Sequence, residues 1–228
     1  MIVPAKYLTR QEWHSHSGNW DLFVRQHSNS QPWGYSWMKR GIDLSIALLF
    51  LLSIGFWIIP LIALFIRLES KGSPFFLQKR TGKNNRSFTC IKLRTMRLND
   101  EADYKQAGHK DERITRIGHF LRLSSLDELP QFLNVLMGEM SLVGPRPHML
   151  YHTETYEKQI PTYNLRHLVK PGITGLAQIR GFRGPTLTLT DMENRVKSDL
   201  YYVAHRNIFM DLRIIWATAH EVWVSIKS

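Results

Sequence analysis

Two adjacent acidic residues follow a run of basic residues in the middle of the chain. The acids are Asp127 and Glu128, and the basic residues before them recur every three positions: Arg113, Arg116, His119 and Arg122. A carboxylate can act as a nucleophile or hold a metal ion, and arginines neutralise phosphate groups. This combination therefore indicates a site where an anionic substrate meets a nucleophile or a metal ion.

The segment around the acidic pair has the pattern of one helix. Apolar residues recur at spacings of three and four, at Leu126, Leu129, Leu133 and Leu136. Ser125 and Glu128 have the spacing of a capping box, and Gly138 is placed to end the helix. The pattern predicts that both acids lie in the first turn, about 100° apart around the axis, so that they cannot do the same job. The free N–H groups of that turn would keep Asp127 ionised.

A plainer interpretation of the same residues is a capped amphipathic helix beside a solvated basic segment. Capping boxes are common and short motifs give many false matches, so spacing alone favours this plainer interpretation. Arg146, further along the chain, also favours a site that binds phosphate. Pro145 and Pro147 stiffen the backbone around it and fix where its guanidinium points. A rigid arginine fork suits bidentate phosphate binding, although an ordinary proline turn has the same residues.

A long apolar segment indicates contact with a membrane. From Leu44 to Ile66 no residue is charged, and a helix of that length spans about 35 Å, enough to cross the hydrocarbon layer. Pro60 interrupts it, and both flanks are basic, which places both ends in the cytoplasm. A helix that enters, bends at Pro60 and returns satisfies both flanks. A kinked spanning helix is the alternative, and these residues alone do not separate the two.

The remaining sequence predicts a small sheet and several helices. Phe75 to Gln78 and Ser87 to Leu93 have the composition of two strands of a hairpin with a basic loop. Helices are predicted from Tyr151 to Leu168, from Asp191 to His205 and from Ile208 to Trp223, and the last of these could pack as core or lie flat in a membrane interface. The fold class is therefore α+β, mostly helical.

The composition indicates which ligands and which cellular compartment fit this chain. Thirty Lys and Arg against nineteen Asp and Glu give a formal net charge of +11, which favours nucleic acid, anionic lipid or phosphorylated ligands. The single cysteine, Cys90, cannot form an internal disulfide and favours a reducing compartment. Residues 1–37 are polar and irregular, and their four tryptophans are typical of a loosely ordered lead at a membrane interface. There is no signal peptide, because the apolar segment starts too late and no cleavage site follows it.

The order of the motifs is more specific than any one of them. In order they are Lys39-Arg-Gly-Ile-Asp43, the apolar segment with Pro60, Phe75-Phe76, Gln78-Lys-Arg80, Lys92-Leu-Arg-Thr-Met96, Ile114-Thr-Arg-Ile-Gly118, Ser125-Leu-Asp-Glu-Leu-Pro-Gln131, Asn134-Val-Leu136, Met140-Ser-Leu-Val-Gly-Pro-Arg-Pro147, Lys170-Pro-Gly-Ile-Thr-Gly175 and Asp199-Leu-Tyr-Tyr202. Over about residues 38 to 225, this pattern closely resembles the bacterial sugar transferases known as monotopic polyprenol-phosphate phosphoglycosyl transferases.

The resemblance implies an enzymatic activity. Such enzymes move a sugar-1-phosphate from a UDP-sugar to undecaprenyl phosphate and release UMP, which starts a lipid-linked precursor of exopolysaccharide, O-antigen or capsule. Residues 177–199 look more like those of the enzymes for hexose-1-phosphate, although no single residue reads the sugar. The implied partners are the UDP-sugar, the polyprenol phosphate and membrane lipids, with no nucleic acid, and a homo-oligomer stays open.

The resemblance also implies roles for particular residues. Asp127 would be the nucleophile and would form a covalent phosphosugar intermediate, and a Mg²⁺ ion would bridge it and the diphosphate. Glu128 would orient the metal ion or help to deprotonate the incoming phosphate. Arg122 is expected near the polyprenol phosphate, and the other predicted phosphate-binding residues are Arg146, Arg94 and Arg116.

The resemblance divides the chain and places it at the cytoplasmic face of the bacterial inner membrane. Residues 1–37 form the lead, 38–70 a re-entrant membrane helix kinked at Pro60, and 71–228 the cytoplasmic catalytic domain with interfacial amphipathic helices. Family members often have Ser immediately before the kink proline, where this chain has Ile59. Ser53 is too far from Pro60 to replace that serine directly. Larger members have four more membrane helices upstream, so this chain is expected to be the minimal form.

Two other functions fit parts of the sequence. A single-pass membrane anchor with a basic phosphate- or nucleic-acid-binding module explains the charge and the apolar segment, but leaves the placement of Asp127 and Glu128 unused. A membrane-associated phosphatase or pyrophosphatase would use the same carboxylates on water and would need no lipid acceptor.

Overall fold

The fold is mostly helical, with two small sheets. A computed structural model describes residues 20–29, 33–99, 108, 111–184, 186 and 188–227. The α-helices are α1 (Trp20–Asn29), α2 (Trp33–Phe50), α3 (Phe56–Glu69), α4 (Arg116–Leu123), α5 (Gln131–Met137), α6 (Leu150–Glu157), α7 (Leu176–Ile179), α8 (Leu189–His205) and α9 (Ile208–Lys227). A π-helical segment (Leu51–Gly55) joins α2 to α3, and short 3₁₀ helices lie at Lys83–Asn85, Leu126–Glu128 and Tyr163–Leu168.

The predicted hairpin is confirmed, and a second sheet accompanies it. Strands β1 (Phe75–Thr81) and β2 (Ser87–Leu93) pair antiparallel, with Phe75 opposite Leu93. The shorter strands β3 (Ser141–Val143) and β4 (Gly172–Thr174) pair in parallel. This parallel pair joins the strand just before Arg146 to the Lys170–Gly175 motif, two parts of the sequence that spacing alone does not connect.

Two helices differ from their predicted form. The predicted helix from Tyr151 to Leu168 is instead α6, which ends at Glu157, and a separate 3₁₀ helix. Pro161 lies between them, where its missing N–H and its ring end a regular helix. In the lead, residues 20–29 form the regular helix α1, whose Val24 is fully buried against Met192 and Val196 of α8. The lead before residue 20, with Trp13, His14 and His16, lies outside the described residues.

The apolar segment lies within one long helical stretch. Gly34–Glu69 is 36 residues long, and its most apolar 18-residue window has a mean hydropathy of 2.7 with only 17% of it buried. By length and composition it is the one helix among the described residues that could cross a membrane. Its irregular part is the π segment at Leu51–Gly55, whereas Pro60 lies inside the α-helix α3. Ser53 hydroxyl donates to the Leu49 carbonyl at 2.6 Å, next to this irregular backbone.

Both ends of this stretch are bonded to the same folded body. Near the start, the Asp43 carboxylate accepts from the Ser141 hydroxyl at 2.7 Å and from the Leu142 N–H at 3.1 Å. At the far end, Arg94 donates to the carbonyls of Ser70 and Lys71 at 2.8 and 2.7 Å. The middle of the stretch makes fewer contacts, and its Leu52, Ile54, Phe56 and Trp57 side chains are exposed.

Helix α4 packs unusually close to the backbone that follows β2. A Cβ atom on Gly118 would lie 2.0 Å from the Thr95 carbonyl oxygen, so only glycine permits this approach. The Thr115 hydroxyl caps the helix by accepting from the Gly118 N–H at 3.0 Å. As a result, Arg122 in the last turn reaches Thr95, and its Nε donates to the Thr95 hydroxyl at 2.8 Å.

Candidate active site

The acidic pair lies in a tight turn rather than at the start of a long helix. Ser125 has a left-handed backbone with φ 58°, and its side chain makes no capping bond to the helix, so the predicted capping box is wrong. Asp127 and Glu128 belong to the 3₁₀ helix, and α5 starts only after Pro130. The prediction that Gly138 ends the helix is confirmed, since it is the C-cap with φ 83°.

The turn opens into a cavity of about 500 Å³ with many basic side chains. Asp127 and Glu128 line it together with eight Arg and Lys residues: Arg80, Lys92, Arg94, Arg97, Arg122, Arg146, Arg183 and Arg195. Two carboxylates among so many cations leave an excess of positive charge. The cavity therefore suits a ligand with more than one negative charge.

Glu128 is held by two cations and cannot easily move. Its Oε1 accepts from Lys92 Nζ at 2.7 Å and from Arg146 Nη2 at 2.7 Å, and its Oε2 accepts from Arg146 Nη1 at 3.3 Å. Burial by itself would raise the pKa of Glu128, but Arg146 and Lys92 outweigh it and hold the pKa well below its usual value. Glu128 is thus ionised and serves to fix the direction of the Arg146 guanidinium.

Asp127 has a different environment, as the separate roles predicted for the two acids require. Its half-buried carboxylate has no hydrogen bond or ion pair with any residue that the structure describes. Burial raises the pKa of Asp127 and Glu128 adds to the rise, while Lys92, Arg122 and Arg146 oppose it. This direction is opposite to the stabilised carboxylate predicted for a helix N-terminus, because a 3₁₀ turn beside Glu128 replaces that helix.

The other predicted phosphate-binding residues separate into two groups. Arg122, Arg146 and Arg94 line the cavity. Arg116 is exposed and does not line it, and the backbone N–H of Arg116 bonds Glu69 at 2.8 Å. Arg94 is 4% exposed and uses both terminal nitrogens to hold the carbonyls that follow α3, so we assign it to positioning that helix end.

A buried ion pair holds the backbone of Arg146 from behind. The Arg166 Nη2 donates to the Arg146 carbonyl at 2.8 Å and to Asp199 Oδ2 at 2.6 Å, and Arg166 is completely buried. Burial would lower the pKa of Arg166, but Asp199 and Tyr163 raise it above its usual value. Arg146 is therefore fixed at both ends, by Arg166 at its carbonyl and by Glu128 at its guanidinium.

Sequence reasoning assigned no role to several of these residues. Lys92 and Asp199 lie in quoted motifs, but nothing in their spacing shows that they reach Glu128 and Arg166. Arg183 is also new to the site, and its Nη2 donates to the Ser125 hydroxyl at 2.6 Å, across 58 positions of sequence. This bond holds the left-handed residue that precedes the acidic pair.

Most of this chain is similar in sequence to known proteins. A family model described as bacterial sugar transferase matches residues 34–225. The chain belongs to this family. It is 46% identical over 190 residues to the UDP-glucose:undecaprenyl-phosphate glucose-1-phosphate transferase of Escherichia coli (strain K12), which is 82% of this chain and 40% of that protein. It is 50% identical over 171 residues to the protein of the same name from Xanthomonas campestris pv. campestris, 74% of this chain and 35% of that one.

The chain thus spans less than half the length of those two bacterial sugar transferases. A shorter member of the family is matched almost throughout. The exopolysaccharide production protein PSS of Rhizobium leguminosarum bv. phaseoli is 46% identical over 186 residues, which cover 79% of this chain and 92% of that protein.

A metal ion in this bacterial sugar transferase would have few protein ligands. No group of three or more His, Cys, Asp or Glu side chains is arranged for a metal within the described ranges. Mg²⁺ does not need one, because it is often held by one or two carboxylates plus substrate phosphates and water. Asp127 fits this role since it lines the cavity and its carboxylate bonds no residue in the described part of the chain. Glu128 fits less well, because Lys92 and Arg146 already occupy its oxygens.

Proposed function

We propose that this protein transfers hexose-1-phosphate from a UDP-sugar to undecaprenyl phosphate, releases UMP and so starts a lipid-linked exopolysaccharide, O-antigen or capsule. The observation that carries the proposal is the Asp127 carboxylate, which has no partner among the described residues and lines a cavity beside Lys92, Arg122 and Arg146. The names of the Escherichia coli and Xanthomonas relatives, both glucose-1-phosphate transferases, support glucose as the sugar.

In the first step, a carboxylate oxygen of Asp127 attacks the phosphorus that bears the sugar. The new bond is an acyl-phosphate (mixed anhydride) bond between Asp127 and phosphorus, and the bond from that phosphorus to the bridging oxygen breaks, so that both electrons leave with UMP. Lys92 and Arg146 are placed to neutralise the phosphate oxygens, because Glu128 holds both of them at the cavity wall. In this proposal Glu128 orients cations rather than moving a proton.

In the second step, an oxygen of undecaprenyl phosphate attacks the same phosphorus and Asp127 leaves as a carboxylate. No net proton transfer is needed, because a phosphate oxygen replaces a carboxylate oxygen. Mg²⁺ bound at Asp127 would withdraw charge from the diphosphate. Arg122 is the proposed partner of the lipid phosphate, since its Nε is fixed by Thr95 and exposed apolar side chains flank it at Phe120 and Leu123.

We further propose that the long helix enters the inner membrane from the cytoplasmic face and returns to it. The support is that Asp43 and Arg94 bond the two ends of the apolar stretch to one folded body, which a helix spanning about 30 Å of hydrocarbon does not readily allow. The π segment and its exposed neighbours would form the turn, upstream of Pro60. The exposed Phe209, Leu212, Trp216 and Trp223 of α9 fit an interfacial helix.

Cysteine labelling tests this topology. In a background where Cys90 is replaced by serine, single cysteines are introduced as Ser36→Cys and Lys71→Cys, at exposed positions on either side of the apolar segment. We expect a membrane-impermeant maleimide to label neither cysteine in intact spheroplasts and both in inside-out membrane vesicles. Labelling from opposite sides would instead indicate a spanning anchor, which is the arrangement of the alternative binding module.

Substitution of Arg122 tests the acceptor site. We expect Arg122→Ala to raise the KM for undecaprenyl phosphate about tenfold or more, because one charged contact to phosphate is lost. Covalent labelling of the enzyme by UDP-sugar alone should persist, since that step does not involve the lipid. The exposed Arg116→Ala is the control in the same helix. Unchanged acceptor kinetics in Arg122→Ala would remove this residue from the site.

The most informative experiment is a screen of UDP-sugars for UMP release with and without undecaprenyl phosphate. The proposal requires release that depends on the lipid, and the preferred sugar identifies the donor. Without lipid, the covalent mechanism allows only one UMP per enzyme molecule, so repeated turnover without lipid would support a phosphatase or pyrophosphatase. Failure of every UDP-sugar under both conditions would contradict the transferase proposal.

A further inference from the structure

Two cations meet at the C-terminal end of α5, away from the acidic pair. Arg40 caps the helix, because its Nη1 donates to the Val135 carbonyl at 2.7 Å and its Nη2 to the Leu136 carbonyl at 3.1 Å. A Cβ atom on Gly138 would lie 3.5 Å from Arg40 Nη2 and 3.6 Å from Lys170 Nζ. Both nitrogens therefore border the same small space, which stays open because residue 138 has no side chain.

Lys170 has no structural task that explains its position. Its ammonium makes no hydrogen bond or ion pair with any residue in the described part of the chain, although the side chain is half-buried. Burial lowers the pKa of Lys170, and the nearby Arg40 and Lys83 lower it further, with only Asp43 acting against them. A cation in such surroundings destabilises the folded protein unless a negative group joins it.

Exposed apolar side chains lie next to Arg40 and Gly138. Arg40 precedes the first residue of the apolar segment by one helical turn, and Leu44 and Leu48 follow it at spacings of four along α2. Their side chains are 36% and 50% exposed, and Met137, next to Gly138, is 58% exposed. Positive charge thus borders exposed apolar surface, which matches a phosphate with acyl chains below it.

We propose that Arg40 and Lys170 bind the phosphate of an anionic phospholipid, with an acyl chain against Leu44 and Leu48. The open space at Gly138 admits the phosphate, and the charge removes the repulsion between the two cations. Neither Arg40 nor Lys170 lines the cavity with Asp127. This lipid site is therefore separate from the transfer site. A test of lipid binding and a test of the transfer reaction can fail independently of each other.

The test compares thermal unfolding of the purified full chain in nanodiscs of phosphatidylcholine with and without phosphatidylglycerol. We expect phosphatidylglycerol to raise the Tm of the native protein by several degrees. Lys170→Gln should lose at least half of this rise, while its Tm in pure phosphatidylcholine stays equal to or above that of the native protein, because a half-buried unpaired charge is removed. Lys170→Arg keeps the charge and should keep the rise, and the exposed Lys158→Gln is the matched control.

Three outcomes would overturn the proposal. An undiminished phosphatidylglycerol effect in Lys170→Gln would show that the lipid acts elsewhere. A lower Tm of Lys170→Gln in pure phosphatidylcholine would show that Lys170 is structural. Equal stabilisation by inorganic phosphate in phosphatidylcholine discs, lost in Lys170→Gln, would assign the site to free phosphate rather than to lipid.

Discussion

Asp127→Asn should lower UMP release from UDP-sugars by at least about a thousandfold while leaving membrane association intact. An amide has no charged oxygen to attack phosphorus, so the covalent step is lost rather than slowed. In this proposal the long helix holds the protein at the membrane, and Asp127 makes no hydrogen bond or ion pair with its described residues. The measurement is UMP release by membranes that contain equal amounts of each protein. Substantial turnover by Asp127→Asn would contradict the covalent mechanism.

The same substitution has a second expected effect, on stability. Burial raises the pKa of Asp127 in the folded protein, so the folded state favours the protonated acid. The stability that this proton provides is present below the unfolded pKa of about 3.9 and is lost as pH rises through the folded pKa. At neutral pH the ionised group is therefore a cost, and Asp127→Asn should keep or raise the Tm. Asp21→Asn, an exposed site paired with Arg25, is the control.

The raised pKa also predicts the pH dependence of the reaction. Only the ionised carboxylate attacks phosphorus, so kcat/KM should fall as pH falls through the pKa of Asp127. This fall should begin at a higher pH than it would for an exposed aspartate.

Mass spectrometry tests the covalent intermediate directly, because native protein incubated with UDP-sugar and no lipid should gain the mass of the phosphosugar. Asp127→Asn should gain none.

The sequence predicts the chemistry near Asp127 better than the geometry that produces it. The acids, the basic residues and the apolar segment are visible as local patterns. The left-handed Ser125 is not, because Arg183 holds it from 58 positions away and serine at this spacing is the usual residue of a capping box. A local sequence pattern contains no information about such a distant contact. The structure therefore has a turn where the pattern predicts a helix, and the shift in the pKa of Asp127 has the opposite direction from the predicted one.

The same limit explains which elements were predicted well. The hairpin from Phe75 to Leu93 depends on neighbouring residues and has the expected strands. The pairing of β3 with β4 joins segments about 30 residues apart, and periodicity carries no sign of it. The disturbance in the long helix lies at Leu51–Gly55 rather than at Pro60, because proline removes a donor but the surrounding packing decides where the backbone adjusts.

The ion pair behind Arg146 leads to the second large effect, on folding and activity together. Asp199→Asn leaves the completely buried Arg166 without its charged partner. Breaking a buried pair in this way costs about 3–5 kcal/mol, which corresponds to a fall in Tm of about 10 °C for a domain of this size. Activity should also fall about tenfold to a hundredfold, since a misplaced Arg146 no longer meets the phosphate.

A double substitution separates positioning from stability. Replacing both members, as Arg166→Met with Asp199→Leu, removes the two buried charges at once and should restore much of the Tm lost in Asp199→Asn. It cannot restore the bond from Arg166 to the Arg146 carbonyl, so kcat should stay low while the protein is stable. Recovery of both Tm and kcat would mean that the ion pair only stabilises the fold. Recovery of Tm alone would establish Arg166 and Asp199 as positioning residues for Arg146, because the remaining defect then lies in the geometry of the site and not in the amount of folded protein.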